Sequence, residues 1–447
     1  MSTLTGSTTT AITIGNFANW IISSSGRVNV NANDAIRMSG QGSFLLVDGE
    51  VLARGGTGVL VNSSFGNANT VMITAAGTIL ASGGNGLMVT SGTANRVVND
   101  GTIFGSNTGL LDSAFASNLQ NHGSVTGGFT GMSLSSGFKA VANTGEIAGG
   151  QTGLNFAAPN VNFVNTGEIT GGPSGGVVVT STGYGRLANL GEIASTGVGI
   201  SVSGSGDAFR LINHGTVIGG NDVAYSSSDL ADRVDVVRNS GLISGDVRLG
   251  GGDDVYRGIG DGRVDGTVFG GSGDDLLIGS HADDVLDGGD GSDELRGRGG
   301  DDVLYGGVGA DLLIGGRGDD TLYGGAWSDT LLGGPGDDVL YGGGGADTLD
   351  GGPGDDVLTG GPGPDVFVFR RNAGDNEITD FRRGQGDKID LSAYNLLPGG
   401  FAKVKDATSD APGWAVLIDL DALGGQGSVL VNGMGFNGMT WTDFIFA

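Results

Sequence analysis

From Gly270 to Val368 the chain repeats one nine-residue phrase eleven times without a break. Written as G-G-x-G-x-D-x-U-x, its best copies are Gly270-Gly271-Ser272-Gly273-Asp274-Asp275-Leu276-Leu277-Ile278 and Gly333-Gly334-Pro335-Gly336-Asp337-Asp338-Val339-Leu340-Tyr341. Position six is aspartate in every copy: Asp275, Asp284, Asp293, Asp302, Asp311, Asp320, Asp329, Asp338, Asp347, Asp356 and Asp365. Position eight is Leu in ten copies and Phe367 in the last. A Gly/Asp-rich disordered linker has no reason to hold both residues in strict nine-residue phase, so a packed repeat is the reading that survives.

A nonapeptide of this form is a known calcium-binding β-helix repeat. Glycine at positions one, two and four lets the chain turn through backbone angles closed to other residues and frees carbonyl oxygens to face an ion. Positions six to nine alternate polar and apolar, as a short strand does, and the position-eight Leu is the side chain that is regularly buried. Two repeats then make one flattened coil of eighteen residues. A Ca2+ ion takes six to eight oxygens at roughly 2.3–2.6 Å, more than one nonapeptide supplies, so neighbouring coils share ions and the array offers up to about nine sandwiched sites. The segment holds 21 acidic residues against Arg296, Arg298 and Arg317, a net charge of −18. Stacked at a spacing of ~4.8 Å, those charges repel. Metal binding and folding are therefore expected to be coupled. Asp254, in Gly250-Gly251-Gly252-Asp253-Asp254-Val255-Tyr256, reads as a detached earlier copy and a peripheral site, with the phase lost between Gly258 and Phe269.

A longer and looser period precedes the array. Its signature, Asn-x-Gly-x-Ile, appears at Asn99, Asn121, Asn143, Asn165, Asn189, Asn213 and Asn239, and weaker copies centre on Gly26, Gly49 and Gly77. In all ten copies the residue two places after the glycine is Val or Ile. A period of this length indicates stacked coils, each too thin to bury its own apolar face. The Val/Ile positions then form an internal column, and the asparagines form a second column whose amides bond along the axis. Ten coils span roughly 48 Å and the nonapeptide coils roughly 26 Å at the spacing of stacked strands. The fold expected is all-β: a right-handed parallel β-solenoid, with a β-helix over residues 1–245, a junction at 246–269, a calcium-binding β-roll at 270–368 and a small β cap at 369–447.

The net charge of −27 argues against a nucleic-acid partner, since few groups could neutralise phosphates. No run of eighteen apolar residues suggests membrane insertion. The first ten residues are rich in Ser and Thr and carry no basic residue, unlike a secretory leader. Cysteine is absent, which is compatible with an oxidising exterior.

After the array come Gly374-Asp375-Asn376-Glu377-Ile378-Thr379-Asp380-Phe381 and Gly386-Asp387-Lys388-Ile389-Asp390-Leu391-Ser392, and the sequence ends Trp441-Thr442-Asp443-Phe444-Ile445-Phe446-Ala447. Together with the nonapeptides, these segments resemble the RTX (repeats-in-toxin) proteins exported by type I secretion. That resemblance implies a type I exporter as partner, an uncleaved C-terminal signal, an extracellular or cell-surface location and folding on meeting calcium outside. It also implies that Asp380, Asp387 and Asp390 are further calcium ligands; from the residues alone they read equally well as turn formers.

No catalytic set is evident. His122, His214 and His281 are too far apart for His-Glu-x-x-His, and the first two share one turn position. Gly172-Pro173-Ser174-Gly175-Gly176 matches the nucleophile elbow G-x-S-x-G, yet in a glycine-rich chain the match is expected by chance. A polysaccharide lyase or epimerase needs clustered acids and bases, and the eight arginines before residue 246 look scattered beside Lys139, the one lysine there. Glu146, Glu168 and Glu192 follow the signature glycine in adjacent copies and read as a solvated column. An ice-binding solenoid needs a threonine ladder, and this position mixes residue types. Residues Ala11 to Ser25, with Phe17, Trp20, Ile21 and Ile22, read as a cap or a docking surface. The expected protein is a secreted, non-enzymatic, self-associating structural or adhesive solenoid, with a carbohydrate-active β-helix enzyme as the alternative.

Overall fold

The computed structural model describes residues 2–446 apart from 16–17, 32, 41, 63–67, 92, 94, 116, 137–138, 158–159, 181–183, 204–207, 229–232, 397–399, 412–414 and 433–439. Phe17 and Ala447 lie outside the described residues. The strands stack in parallel as a right-handed β-solenoid, with almost no helix. The chain divides into two compact units: residues 1–248 with 264–266, and residues 249–263 with 267–447.

In the first unit each full coil carries three short strands. Lys139–Asn143, Glu146–Gly149 and Thr152–Phe156 pair in parallel with Ser117–Asn121, Ser124–Gly127 and Thr130–Leu134 of the coil before. Alternation places every second side chain inward. The inward column after the signature glycine runs Val28, Val51, Ile79, Ile103, Val125, Ile147, Ile169, Ile193, Val217 and Ile243, all fully buried. The signature glycines are required by close approach. A Cβ on Gly123, Gly145 or Gly167 would collide with the carbonyl oxygen of the glycine one coil earlier.

The stack begins one coil earlier than the sequence period indicates. Ser2–Leu4, Ser7–Thr8 and Ile12–Ile14 already pair with Asn19–Ile22, Arg27–Val30 and Ile36–Met38. The Val/Ile signature fails there because Thr8 stands in register with Val28. Trp20, Ile21 and Ile22 therefore belong to the second coil's strand, Ile22 facing inward.

The asparagine column forms as expected. Each amide donates from Nδ2 to Oδ1 of the next: Asn99 to Asn121 and Asn121 to Asn143 at 2.7 Å, Asn143 to Asn165 and Asn165 to Asn189 at 2.8 Å, Asn189 to Asn213 at 2.9 Å and Asn213 to Asn239 at 2.8 Å.

The second unit switches to eighteen-residue coils with two strands each. Val285–Asp290, Val303–Val308, Thr321–Ala326 and Val339–Gly344 stack on one face. Glu294–Gly299, Leu312–Arg317 and Thr330–Leu332 stack on the other. The position-eight side chains from Leu277 to Phe367 are fully buried and form the core between the faces. Tyr305, Tyr323 and Tyr341 stack outward with centroids 4.9 Å apart and planes 6° apart, a direct readout of the coil rise. After the last repeat, Gly374–Ile378 and Lys388–Asp390 each add one more parallel strand. Gly427–Asn432 then joins Gly374–Ile378 in parallel and Ala415–Asp419 antiparallel, which in turn pairs antiparallel with Thr408–Ala411. Phe444–Ile445 pairs with Lys388–Asp390, so this hydrophobic ending is a strand of the unit.

Candidate calcium array

The repeated aspartates form two buried columns, one on each edge of the second unit. Every position-six aspartate is at most 4% exposed. In all of them but Asp284, Oδ1 ties its coil to the one before: the backbone N–H of Asp275 donates to Asp293, Asp293 to Asp311 and Asp311 to Asp329, and on the other edge Asp284 to Asp302, Asp302 to Asp320 and Asp320 to Asp338, at 2.8–2.9 Å. Asp254 extends the first column downward, its N–H donating to Asp275 Oδ1 at 2.7 Å.

The second oxygen is where the chemistry lies. In Asp275, Asp293, Asp302, Asp311, Asp320, Asp329, Asp338, Asp347, Asp356 and Asp365, Oδ2 is buried with no hydrogen-bond partner. A buried acceptor left without a donor costs roughly 1–3 kcal/mol, and more for a charged group. Burial pushes the carboxyls of Asp302 and Asp338 up to about 8, with the charges of neighbouring aspartates adding to the rise. The same causes bring Asp275, Asp293, Asp329 and Asp356 to about 7, and Asp320 and Asp365 to about 6.

What Oδ2 faces is defined by the position-one glycine. A Cβ on Gly270, Gly279, Gly288, Gly297, Gly306, Gly315, Gly324, Gly333 or Gly342 would lie within 2.7 Å of both the aspartate Oδ2 of its own repeat and the glycine carbonyl oxygen two repeats on. Each of these glycines therefore keeps clear a space lined by one carboxylate oxygen and one carbonyl of the next coil. Positive φ at the position-two glycines, +107° at Gly289 and Gly307 for example, shapes the same turn. No group of three or more His, Cys, Asp or Glu side chains converges among the described residues. A carboxylate oxygen beside a backbone carbonyl is instead the donor type that suits a hard cation. The residues fit calcium, held by the position-six Asp and the turn carbonyls of two coils. When bound, the ion supplies the positive charge that these acceptor-only carboxylates lack.

The three aspartates beyond the array are placed differently. Asp387 continues the column, accepting from the Asp365 N–H at 3.2 Å, but its Oδ2 accepts from Arg382 N–H at 2.6 Å. Asp380 accepts from the N–H groups of Gly360 and Gly361, and Asp390 accepts from Ser392 N–H. Each therefore has a backbone donor for at least one oxygen.

Among its described residues the first unit shows no repeated carboxylate cradle. Glu146, Glu168 and Glu192 stand in register and exposed. His122 and His214 are exposed on turns, beside Asp100 and Ser240. Ser174 leads into the strand Gly175–Val179, not into a helix, so the elbow geometry is absent. Two features escaped the sequence. Lys139 and Asp112 form a fully buried ion pair at 2.7 Å, and burial lowers the lysine pKa against the pull of the aspartate. Arg186 and Arg210, which looked scattered, stand side by side in register. They line a cleft of about 470 Å³ with Tyr184, Asn160 and Asn162, beside Gly185, where a Cβ would collide with the buried Phe209 ring.

The fold and its aspartate columns define a calcium-binding β-roll. Residues 262–295, 296–331, 323–358 and 332–367 match the RTX calcium-binding nonapeptide repeat family, so this segment is an RTX array, with no particular member singled out. No curated protein matches the chain. Among solved structures, the AlgE6R3 subunit from the Azotobacter vinelandii mannuronan C5-epimerase is 34% identical, covering 30% of this chain and 81% of that one, with a TM-score of 0.25. The extracellular lipase LipA from Serratia marcescens is 18% identical, covering 46% of this chain and 45% of that one, with a TM-score of 0.24. No helix among the described residues is long and apolar enough to cross a membrane.

Proposed function

We propose that the protein is a secreted, calcium-folded solenoid that serves as an extracellular structural or adhesive element, self-assembling in a surface layer, matrix or filament. The observation that carries this reading is the row of ten buried, partnerless aspartate oxygens in a segment of net charge −18. Extracellular calcium sites bind in the range of ~10⁻⁴–10⁻³ M, so such an array stays largely empty inside a cell and fills outside. The chain would leave through a type I exporter as an unfolded polyanion and fold on arrival. Up to nine ions would occupy the nine cradles. In this reading the chain is a scaffold and not a catalyst, because stacked coils account for nearly all of it. Negative-stain microscopy with and without millimolar calcium tests the assembly: ordered multimers in calcium support it, and monodisperse monomers at high concentration in both conditions overturn it.

The Arg186 and Arg210 cleft favours a second reading, a carbohydrate-active β-helix. Two arginines that make no ion pair among the described residues, beside an exposed tyrosine, suit an acidic sugar chain. No carboxylate is among the described residues that line the cleft. Turnover of alginate or pectin would establish this reading.

A further inference from the structure

Ten of the eleven position-six aspartates leave Oδ2 without a partner, and Asp284 does not. Its Oδ2 accepts from the backbone N–H of Ser280 at 2.6 Å and from the Ser280 hydroxyl at 3.1 Å. The same hydroxyl accepts from the N–H of Ala282 at 3.1 Å, and Ser280 is fully buried. Within this one turn, Gly279 to Asp284, Oδ2 is satisfied by the protein.

The cause is at position two. In the other ten repeats that residue has a positive φ: nine are glycines, from Gly271 at +117° to Gly361 at +96°, and the tenth is Arg298 at +84°. Ser280 alone lacks it. A residue in this region turns its N–H out of the loop and toward the next coil; the N–H of Gly334, for example, donates to the carbonyl of Gly351. Ser280, with an ordinary φ, turns its N–H inward onto the carboxylate. Ten positive angles accompany ten partnerless oxygens, and the one ordinary angle accompanies the one satisfied oxygen. Arg298 sharpens the point, because it keeps an angle that a side chain disfavours, and its Asp302 oxygen remains open.

We propose that the turn of the second repeat holds no calcium and is a metal-independent anchor at one end of one edge, so that the array binds one ion fewer than its nine cradles. This rests on the calcium reading of the other turns. Ser280 supplies two donors where an ion would supply charge, and its side chain and inward N–H occupy the space. Arg298, the next turn along that edge, straps the anchor: its Nη1 donates to the Gly258 carbonyl at 3.0 Å, across the second repeat. Gly258 itself packs beneath Gly279 and Ser280.

The test is calcium bound per full-length chain after equilibrium dialysis in millimolar calcium, with circular dichroism showing that each variant is folded. Ser280→Gly, which restores the repeat's own residue, is expected to gain one ion per chain. Asp284→Asn is expected to leave the count unchanged, whereas Asp293→Asn loses one. An unchanged count in folded Ser280→Gly, or the loss of an ion in Asp284→Asn, overturns the anchor. Absence of calcium from the wild-type chain would instead overturn the calcium reading beneath it, so the two failures are distinguishable.

Discussion

The asparagine column of the first unit and the aspartate columns of the second do the same work with side chains that differ by one group. Both tie each coil to the next through a side-chain oxygen, Asn143 to Asn165 in one and Asp311 to Asp329 in the other. An amide carries a donor and an acceptor, so a stack of amides satisfies itself. A carboxylate only accepts. Once Oδ1 has taken the backbone N–H, Oδ2 is left over, coil after coil, and something positive must come from outside. The amide column of the first unit is complete in its own atoms; the carboxylate columns of the second call for a cation.

The contrast can be broken most severely at the columns themselves. Replacing Asp311, Asp320 and Asp329 together with Ala is expected to abolish most of the calcium-induced β-structure seen by circular dichroism, while leaving the calcium-independent signal of the first unit in place. A variant that still folds in full on calcium addition would show that the columns are not the metal sites.

The first unit also buries charge, in the pairs Lys139–Asp112 and Arg233–Asp235. Lys139→Met leaves Asp112 buried without its partner, and breaking a buried pair costs about 3–5 kcal/mol. A lower calcium-independent denaturation midpoint with the β-roll transition unmoved is expected. Equal shifts of both transitions would show that the units do not unfold separately.

A smaller change converts one column into the other. Asn165→Asp removes the amide donor that bonds Asn189, Gly167 and Glu192, leaving acceptors facing acceptors. The loss should be about 1–3 kcal/mol, growing as pH rises past the carboxylate range. An unchanged urea midpoint would mean that the ladder's hydrogen bonds add nothing.

The mildest lever is the proton. In the metal-free β-roll, burial raises the folded-state pKa of Asp302 to about 8 and of Asp293 to about 7. A carboxyl raised in the folded state binds protons more tightly than in the unfolded chain, so stability falls as pH rises from about 4 through 8. Without calcium the β-roll is therefore expected to be better ordered near pH 4–5 than at pH 8, and calcium should matter most at the higher pH. Order that increases with pH in chelator would contradict the burial of these carboxyls.

The sequence carried what recurs. Asp and Leu in nine-residue phase disclosed two strands per coil, and Asn-x-Gly-x-Ile disclosed the amide column, because a solenoid repeats each physical requirement at each coil. It hid what occurs once. The first coil went unseen because Thr8 replaces the buried Val or Ile. Lys139 and Asp112 are 27 residues apart, and nothing marks them as partners before the coils are in register. Arg186 and Arg210 meet only through that same register. Ser280 stands at a position that is glycine in nine repeats, and only the structure shows that it satisfies Asp284 Oδ2.

Amide hydrogen exchange on the full chain, with and without calcium, tests the division most directly. In chelator at pH 8, strands such as Val303–Val308 and Leu312–Arg317 should exchange nearly as fast as unfolded chain, while Lys139–Asn143 and Val161–Asn165 stay protected; millimolar calcium should restore protection to the former alone. Equal protection of both regions in chelator, or joint loss from both, would contradict the claim that the amide column holds one unit without metal and that calcium completes the other.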